Sequence, residues 1–291
     1  PEELDTGLQL AYLLLTEPKI EATAFDQWKM RQREMLSEEG RSAQAVGMRA
    51  VAAATYPETE ARTRRPTVEN VERITIEAAQ AWLEKLIKES PIEVTIVGDV
   101  ERDEAMRLAA KYLGALPARE RVSAKTYSGL RSLDRPKGER TIQKSVDTQT
   151  DQAFVFSGFY NVDESDRAAV RAMSMASRLL STRMTKEVRE EAQLVYSIGA
   201  SSRPGTTYPG FGMFSASSPT DPNKAASLAA KLESMFTAFA KNGPSEEEMT
   251  VARKQMATTL SDSVRQPSYW SGRLSQITFR GGSLDEIAED A

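Results

Sequence analysis

The chain has 291 residues, 40% of them hydrophobic, with 38 basic and 42 acidic residues and a formal net charge of −4. That length accommodates one large or two ordinary α/β domains, each with a buried core, while the missing basic excess argues against nucleic acid as a partner. There is no cysteine and no histidine, which removes disulfides, thiolate catalysis, cysteine–zinc sites, the commonest neutral-pH general base and the commonest zinc ligand, leaving carboxylates, Lys, Tyr and Arg for any chemistry.

Apolar residues at Leu4, Leu8, Ala11, Tyr12 and Leu15 follow a helical spacing that stops at Pro18. The run Leu8–Leu15 is interrupted by Gln9, and no segment approaches the roughly 20 residues of a membrane span. Further helices are expected over 22–38 and, after Gly40, over 43–54, followed by a loop from Tyr56-Pro57 to Pro66. Thr75 is placed to cap a helix carrying Ala78, Trp82, Leu83, Leu86 and Ile87 on one face. The β-branched run Ile92–Asp99 predicts a strand, and Asp103–Leu113 a helix closed by Gly114 and Pro117. A strand apolar almost throughout, flanked by helices, argues for a sheet covered by helices. The polar, aperiodic stretch 118–138 reads as an interdomain linker.

Beyond it, Thr141–Val146 and Gln152–Phe159 are strand-like, and Asp166–Leu180 is a helix apolar on more than one face, with Met173 and Met175 as core filler. A short charged helix, 183–192, leads to an expected strand over Leu194–Ser201, and Pro204, Gly205 and Pro209 mark the connection to another over Phe211–Ser217. Two long helices follow, 222–241 and 245–264. The second opens with Ser245 and Glu248 at capping-box spacing, so Glu246-Glu247-Glu248 reads as a helix N-terminus rather than a metal site. Arg62, Arg64 and Arg65 read as a solvated loop, and Trp28, Trp82 and Trp270 as packing or interface groups. The chain opens and closes inside helical patterns, as a piece of a longer polypeptide does.

The segment Val188-Arg189-Glu190-Glu191-Ala192-Gln193-Leu194-Val195-Tyr196-Ser197-Ile198-Gly199-Ala200 resembles the motif in the C-terminal half of the pitrilysin/insulinase-type metallopeptidases, where a helix ending Arg-Glu precedes a Leu-Val/Ala-Tyr-Ser-Val strand. Arg178-Leu179-Leu180-Ser181-Thr182-Arg183-Met184 is similar to the helix and turn before that motif. Val94–Val100, followed by Tyr112-Leu113-Gly114-Ala115-Leu116-Pro117, is similar to the strand and close of one domain of such proteins, and the stretch from Leu13 through Pro18 to Phe25 to a helix pair of the same domain. The family's His-x-x-Glu-His zinc motif is absent, and no register assigns the family's third, glutamate ligand to Glu34, Glu38 or Glu39.

The resemblance implies an α+β fold of two metallopeptidase-like units, each a mixed, largely antiparallel sheet covered by helices on one face. The first unit, 1–117, is incomplete; residues 118–138 link it to the second, 139–291; in a four-domain member these are the third and fourth domains. It implies that Arg189 and Tyr196, seven positions apart, project into a cleavage chamber as the catalytic donors, and that zinc belongs to the parent enzyme and not to this chain. The implied partners are a zinc-bearing N-terminal half or subunit and a peptide substrate, with a homodimer left open. The other function the family offers is an inactive structural or peptide-binding module. Bacterial relatives suggest the periplasm or envelope, with the cytoplasm as the alternative.

Overall fold

A computed structural model describes residues 2–147, 151–275 and 277–284. In chain order its elements are α1 (Glu2–Thr16), α2 (Ala22–Glu39), α3 (Ala43–Thr55), α4 (Val68–Arg73), α5 (Ile76–Glu89), α6 (Arg102–Tyr112), α7 (Ser128–Arg131), β1 (Ala153–Asn161), α8 (Arg167–Met184), a π-helix (Thr185–Glu191), β2 (Ala200–Arg203), β3 (Gly212–Thr220), α9 (Ala225–Asn242), α10 (Glu246–Ser263), α11 (Pro267–Leu274) and α12 (Ile277–Arg280). Two compact units contain the described residues: one within Pro1–Arg33, Val68–Ser128 and Ala257–Ala291, the other within Glu34–Thr67 and Gly129–Met256.

The first unit is helical. α1 packs against α6, with Leu8 and Leu108 buried, and Lys111 Nζ and Tyr112 OH both donate to Asp5 Oδ1 at 3.1 Å. Thr75 caps α5, its hydroxyl accepting from Ala78 N at 3.2 Å. Gln80 ties down the α1–α2 connection, accepting from Ile20 N at 2.8 Å and donating to Pro18 O at 2.6 Å. The apolar face expected of α5 is only partly covered, for Trp82 is 65% exposed.

The strand expected at Ile92–Asp99 does not form. Among the described residues Ile92–Val97 carry no backbone hydrogen bond, and Val94 is 49% exposed. β-branched residues favour extended backbone, but a ladder needs a neighbouring strand, and among the described residues none pairs with this segment. Thr141–Val146 fails as a strand for the same reason, without a ladder among the described residues.

The second unit holds the sheet, which is small and wholly antiparallel, in the order β1-β3-β2. Along β3 the residues Gly212, Phe214, Ala216, Ser218 and Thr220 are buried and alternate with more exposed ones, the period-2 pattern of a strand with one face on the core. That face meets α8, the π-helix and α9 through one cluster: Val155, Leu180, Met184, Val188, Phe214, Ala216, Leu228, Leu232 and Met235. Phe214 stacks on Phe159 at 5.2 Å and meets Phe236 edge-on at 5.9 Å. On the alternate residues of β1, Phe154 packs on α3 at Gly47, where a Cβ would stand 2.6 Å from Phe154 Cδ1. The fold is therefore α+β, as expected.

Arg62 and Arg65, read as solvated from sequence, are tied into this unit, as are Arg49, Arg131 and Arg135. Arg62 forms a fork with Glu60, donates to Leu130 O and lies 5.5 Å over the Tyr208 ring. Arg65 and Arg49 both donate to Glu39. Arg131 donates to Thr206 O and Thr207 O at 2.6 and 3.0 Å, and Arg135 to Gly210 O at 3.1 Å.

Candidate functional site

The site begins where α8 runs into the π-helix. The π-helix is a rare local widening that recurs at functional positions. Here it continues α8 without a break because Met184 and Val188, both fully buried, anchor its inner side in the core. The residue after Val188 then faces outward, and Arg189 is exposed. Lys231 on α9 donates to Glu187 Oε2 at 2.6 Å and holds the outer flank.

The helix closes through an i→i−5 bond, Ala192 N to Glu187 O at 3.2 Å, followed by Leu194 N to Val188 O at 3.0 Å. Gln193 between them turns the chain with φ 51°, a left-handed conformation uncommon for a side chain larger than glycine. Its carbonyl accepts from Lys224 Nζ at 2.9 Å.

The strand expected over Leu194–Ser201 is only partly realised: the ladder with β3 runs from Ala200 to Arg203. Continuing its register backwards sets Ser197 opposite Pro219, and proline has no N–H to give. Hydroxyls take over from the backbone. Ser218 Oγ donates to Ser197 O at 2.9 Å and Thr220 Oγ1 to Leu194 O at 2.7 Å. The segment runs alongside β3 and bends at Tyr196, which stands out from it with 90% of its surface exposed.

The outcome is that Arg189 and Tyr196 lie side by side, the guanidinium carbon 5.9 Å from the ring centroid, in cation–π range. Tyr196 also borders a shallow groove of about 370 Å³, with Gln193, Val195, Thr220, Asp221 and Lys224 among its walls. Sequence reasoning singled out the pair but missed Lys224, Ser218 and Thr220, which hold the connecting backbone. Their partners lie 21 to 31 residues away in the chain, so no local pattern marks them.

The chain's own donors do not suit zinc. It has no histidine or cysteine, and among the described residues no three His, Cys, Asp or Glu gather to hold a metal ion. Two of the three carboxylates compared with a zinc ligand are engaged otherwise: Glu39 accepts from Arg49 and Arg65, and Glu38 from Arg41 at 2.9 Å. A second cavity, about 470 Å³ and walled by Met35, Leu36, Glu39 and Arg65, involves neither Arg189 nor Tyr196.

The family model described as the peptidase M16 inactive domain matches residues 73–256. The chain belongs to the peptidase M16 inactive-domain family. The resemblance to the non-zinc region of pitrilysin/insulinase-type peptidases is thereby established at the level of family. Solved structures agree in fold with this M16 domain. The peptidase M16 inactive domain of Pseudomonas fluorescens has 16% identity and a TM-score of 0.76, covering 99% of this chain and 68% of that one. A protease from Helicobacter pylori has 13% identity and a TM-score of 0.76, covering 99% and 70%. A mutant of the ferredoxin protease FusC, solved in complex with Arabidopsis ferredoxin, has 14% identity and a TM-score of 0.74, covering 99% of this chain but only 32% of that one. At these identities the likeness concerns the fold. The comparison with curated proteins finds no match.

Proposed function

We propose that this M16 domain is the substrate-facing, transition-state-stabilising portion of a zinc-dependent endopeptidase that cuts peptides or unfolded polypeptides, the zinc being held by another domain or a partner subunit. The observation that carries the reading is the exposed guanidinium of Arg189 resting 5.9 Å from the exposed ring of Tyr196. Guanidinium and phenol groups are both donors at neutral pH. Aimed at the carbonyls flanking a scissile bond, Tyr196 donates its O–H toward the oxygen that gains charge, and Arg189 donates N–H to a neighbouring carbonyl. Hydrogen bonds to a charged acceptor are the stronger ones, so such donors favour the transition state over the bound peptide. Part of the same reading is the division of the chain into domains 1–117 and 139–291 about the segment 118–138, where limited proteolysis of the whole chain is expected to cut first.

A second reading, an inactive structural or peptide-binding partner of the same family, is favoured by the family's own description as an inactive domain and by the lack of histidine. One experiment separates them: the zinc-bearing M16 half is combined with this chain as wild type, Arg189→Ala or Tyr196→Phe, and hydrolysis of a quenched peptide is followed. The catalytic reading expects both variants to be slower at equal complex formation. Equal rates for all three leave only the structural module.

A further inference from the structure

We infer that Lys224 is a positioning residue that sets the geometry of the Arg189–Tyr196 pair, an inference that rests on the role proposed for that pair. The two side chains are mounted differently. Arg189 grows from a helix pinned in the core by Val188, whereas Tyr196 sits on a segment with no backbone ladder, ahead of the first β2–β3 pair at Ala200. What relates one to the other is the turn at Gln193, held at φ 51°. A non-glycine residue in that region is strained and persists only where its surroundings impose it.

Lys224 supplies the restraint at the centre of the turn. Its ammonium donates to Gln193 O at 2.9 Å, a charge-assisted bond of the stronger class. Its own mount is rigid. Asp221 caps the short turn Pro222–Lys224, accepting from Asn223 N at 2.8 Å, and the helix that follows buries Leu228 and Leu232 completely. Neighbouring restraints act on the flanking residues, through Ala192 N on one side and Leu194 N and Leu194 O on the other, and Lys224 is the contact on Gln193 itself. Lys224 itself is exposed, so its loss frees the turn without opening the core. With Gln193 O released to water, the left-handed turn relaxes. Tyr196, almost wholly exposed, has no packing of its own to keep it beside Arg189.

The test uses the 291-residue chain with labelled arginine, reading by NMR the ring-current shift that Tyr196 imposes on the Arg189 methylenes, assigned by its disappearance in Tyr196→Ala. Lys224→Ala is expected to lower that shift by half or more. Lys224→Arg, which keeps a cationic donor, retains it, as does the control Lys241→Ala. Melting midpoints stay within about 2 °C of wild type throughout, as surface substitutions allow. In the zinc-complemented assembly Lys224→Ala is expected to reduce kcat about tenfold, with KM little changed and with rescue by Lys224→Arg. A ring-current shift unaltered by Lys224→Ala overturns the inference and leaves the role of the pair standing. Loss of the shift together with a large drop in melting point overturns it as well, since that result marks general loosening. Unchanged hydrolysis by Arg189→Ala and Tyr196→Phe removes the pair's role, and positioning by Lys224 falls with it.

Discussion

Arg183 and Glu248 face each other through two parallel hydrogen bonds of 2.6 and 2.7 Å, joining the last turn of α8 to the first turn of α10. The same carboxylate accepts from Ser245 N at 2.7 Å while Ser245 Oγ accepts from Glu248 N at 3.2 Å, completing a capping box. Arg183 also donates to Gly243 O at 3.0 Å and lies 5.0 Å over the Phe239 ring. The ends of three helices thus meet on one guanidinium, directly before the π-helix that carries Arg189.

Acid weakens this junction. The paired Arg183 side chain, with the Ser245 N–H behind it, holds the Glu248 carboxyl at about 2, against 4.5 for an unperturbed glutamate. Because the folded value is depressed, the stabilisation is fully present above about 4.5 and is lost as pH falls from there through about 2. With the two side chains 23% and 30% exposed, screening keeps the contribution to about 1–2 kcal/mol. Urea unfolding of wild type and Glu248→Gln is expected to differ by that amount at pH 7 and to converge as the pH is lowered through that window.

Leu232 on α9 is completely buried at the centre of the cluster beneath the sheet. Leu232→Ala leaves a cavity and is expected to cost about 2–5 kcal/mol. Leu14→Ala, at an exposed position on α1, should change the unfolding free energy by less than about 0.5 kcal/mol.

At Gly47 the Phe154 ring occupies the place of a side chain. Gly47→Ala forces that ring off its rotamer at a cost of about 1–3 kcal/mol. Phe154→Leu in the same chain should relieve part of the cost, which a double-mutant cycle of denaturation measurements reads as coupling between the two positions.

Gln193→Gly keeps the left-handed turn at no steric cost, whereas Gln193→Val places a β-branched side chain at φ 51°. The valine variant is expected to lose about 1–3 kcal/mol relative to the glycine variant, measured by thermal unfolding.

Arg189 and Tyr196 are exposed, so Arg189→Ala and Tyr196→Phe should leave the melting temperature unchanged. In the zinc-complemented peptidase assay each is expected to lose about 10²-fold in rate. Stability and rate measured on the same preparations show whether the two effects separate.

The helices were legible because their signals are local. Thr75 before Ala78, Ser245 before Glu248, and the apolar spacing from Leu4 to Leu15 each act within one or two turns, and the corresponding helices form at or near the expected residues. Strand pairing is not local. Ile92–Val97 and Gln152–Phe159 look alike as sequences, yet the second pairs with β3 and the first pairs with nothing among the described residues. The choice between them depends on which chain segment stands alongside.

By itself the amino-acid sequence determined the α+β character, the helix caps, the exclusion of histidine and cysteine chemistry, and the Arg189 to Tyr196 spacing that points to the M16 family. Only the tertiary structure decided that these two side chains meet. Residues seven apart, spanning a helix end, a turn and an irregular run, can emerge in many directions. Their common direction comes from Val188 sealed in the core, a left-handed Gln193 held by Lys224, and hydroxyls of Ser218 and Thr220 acting where Pro219 has no N–H to offer. Each of these restraints joins groups distant in the chain, and only folding brings them within hydrogen-bond reach.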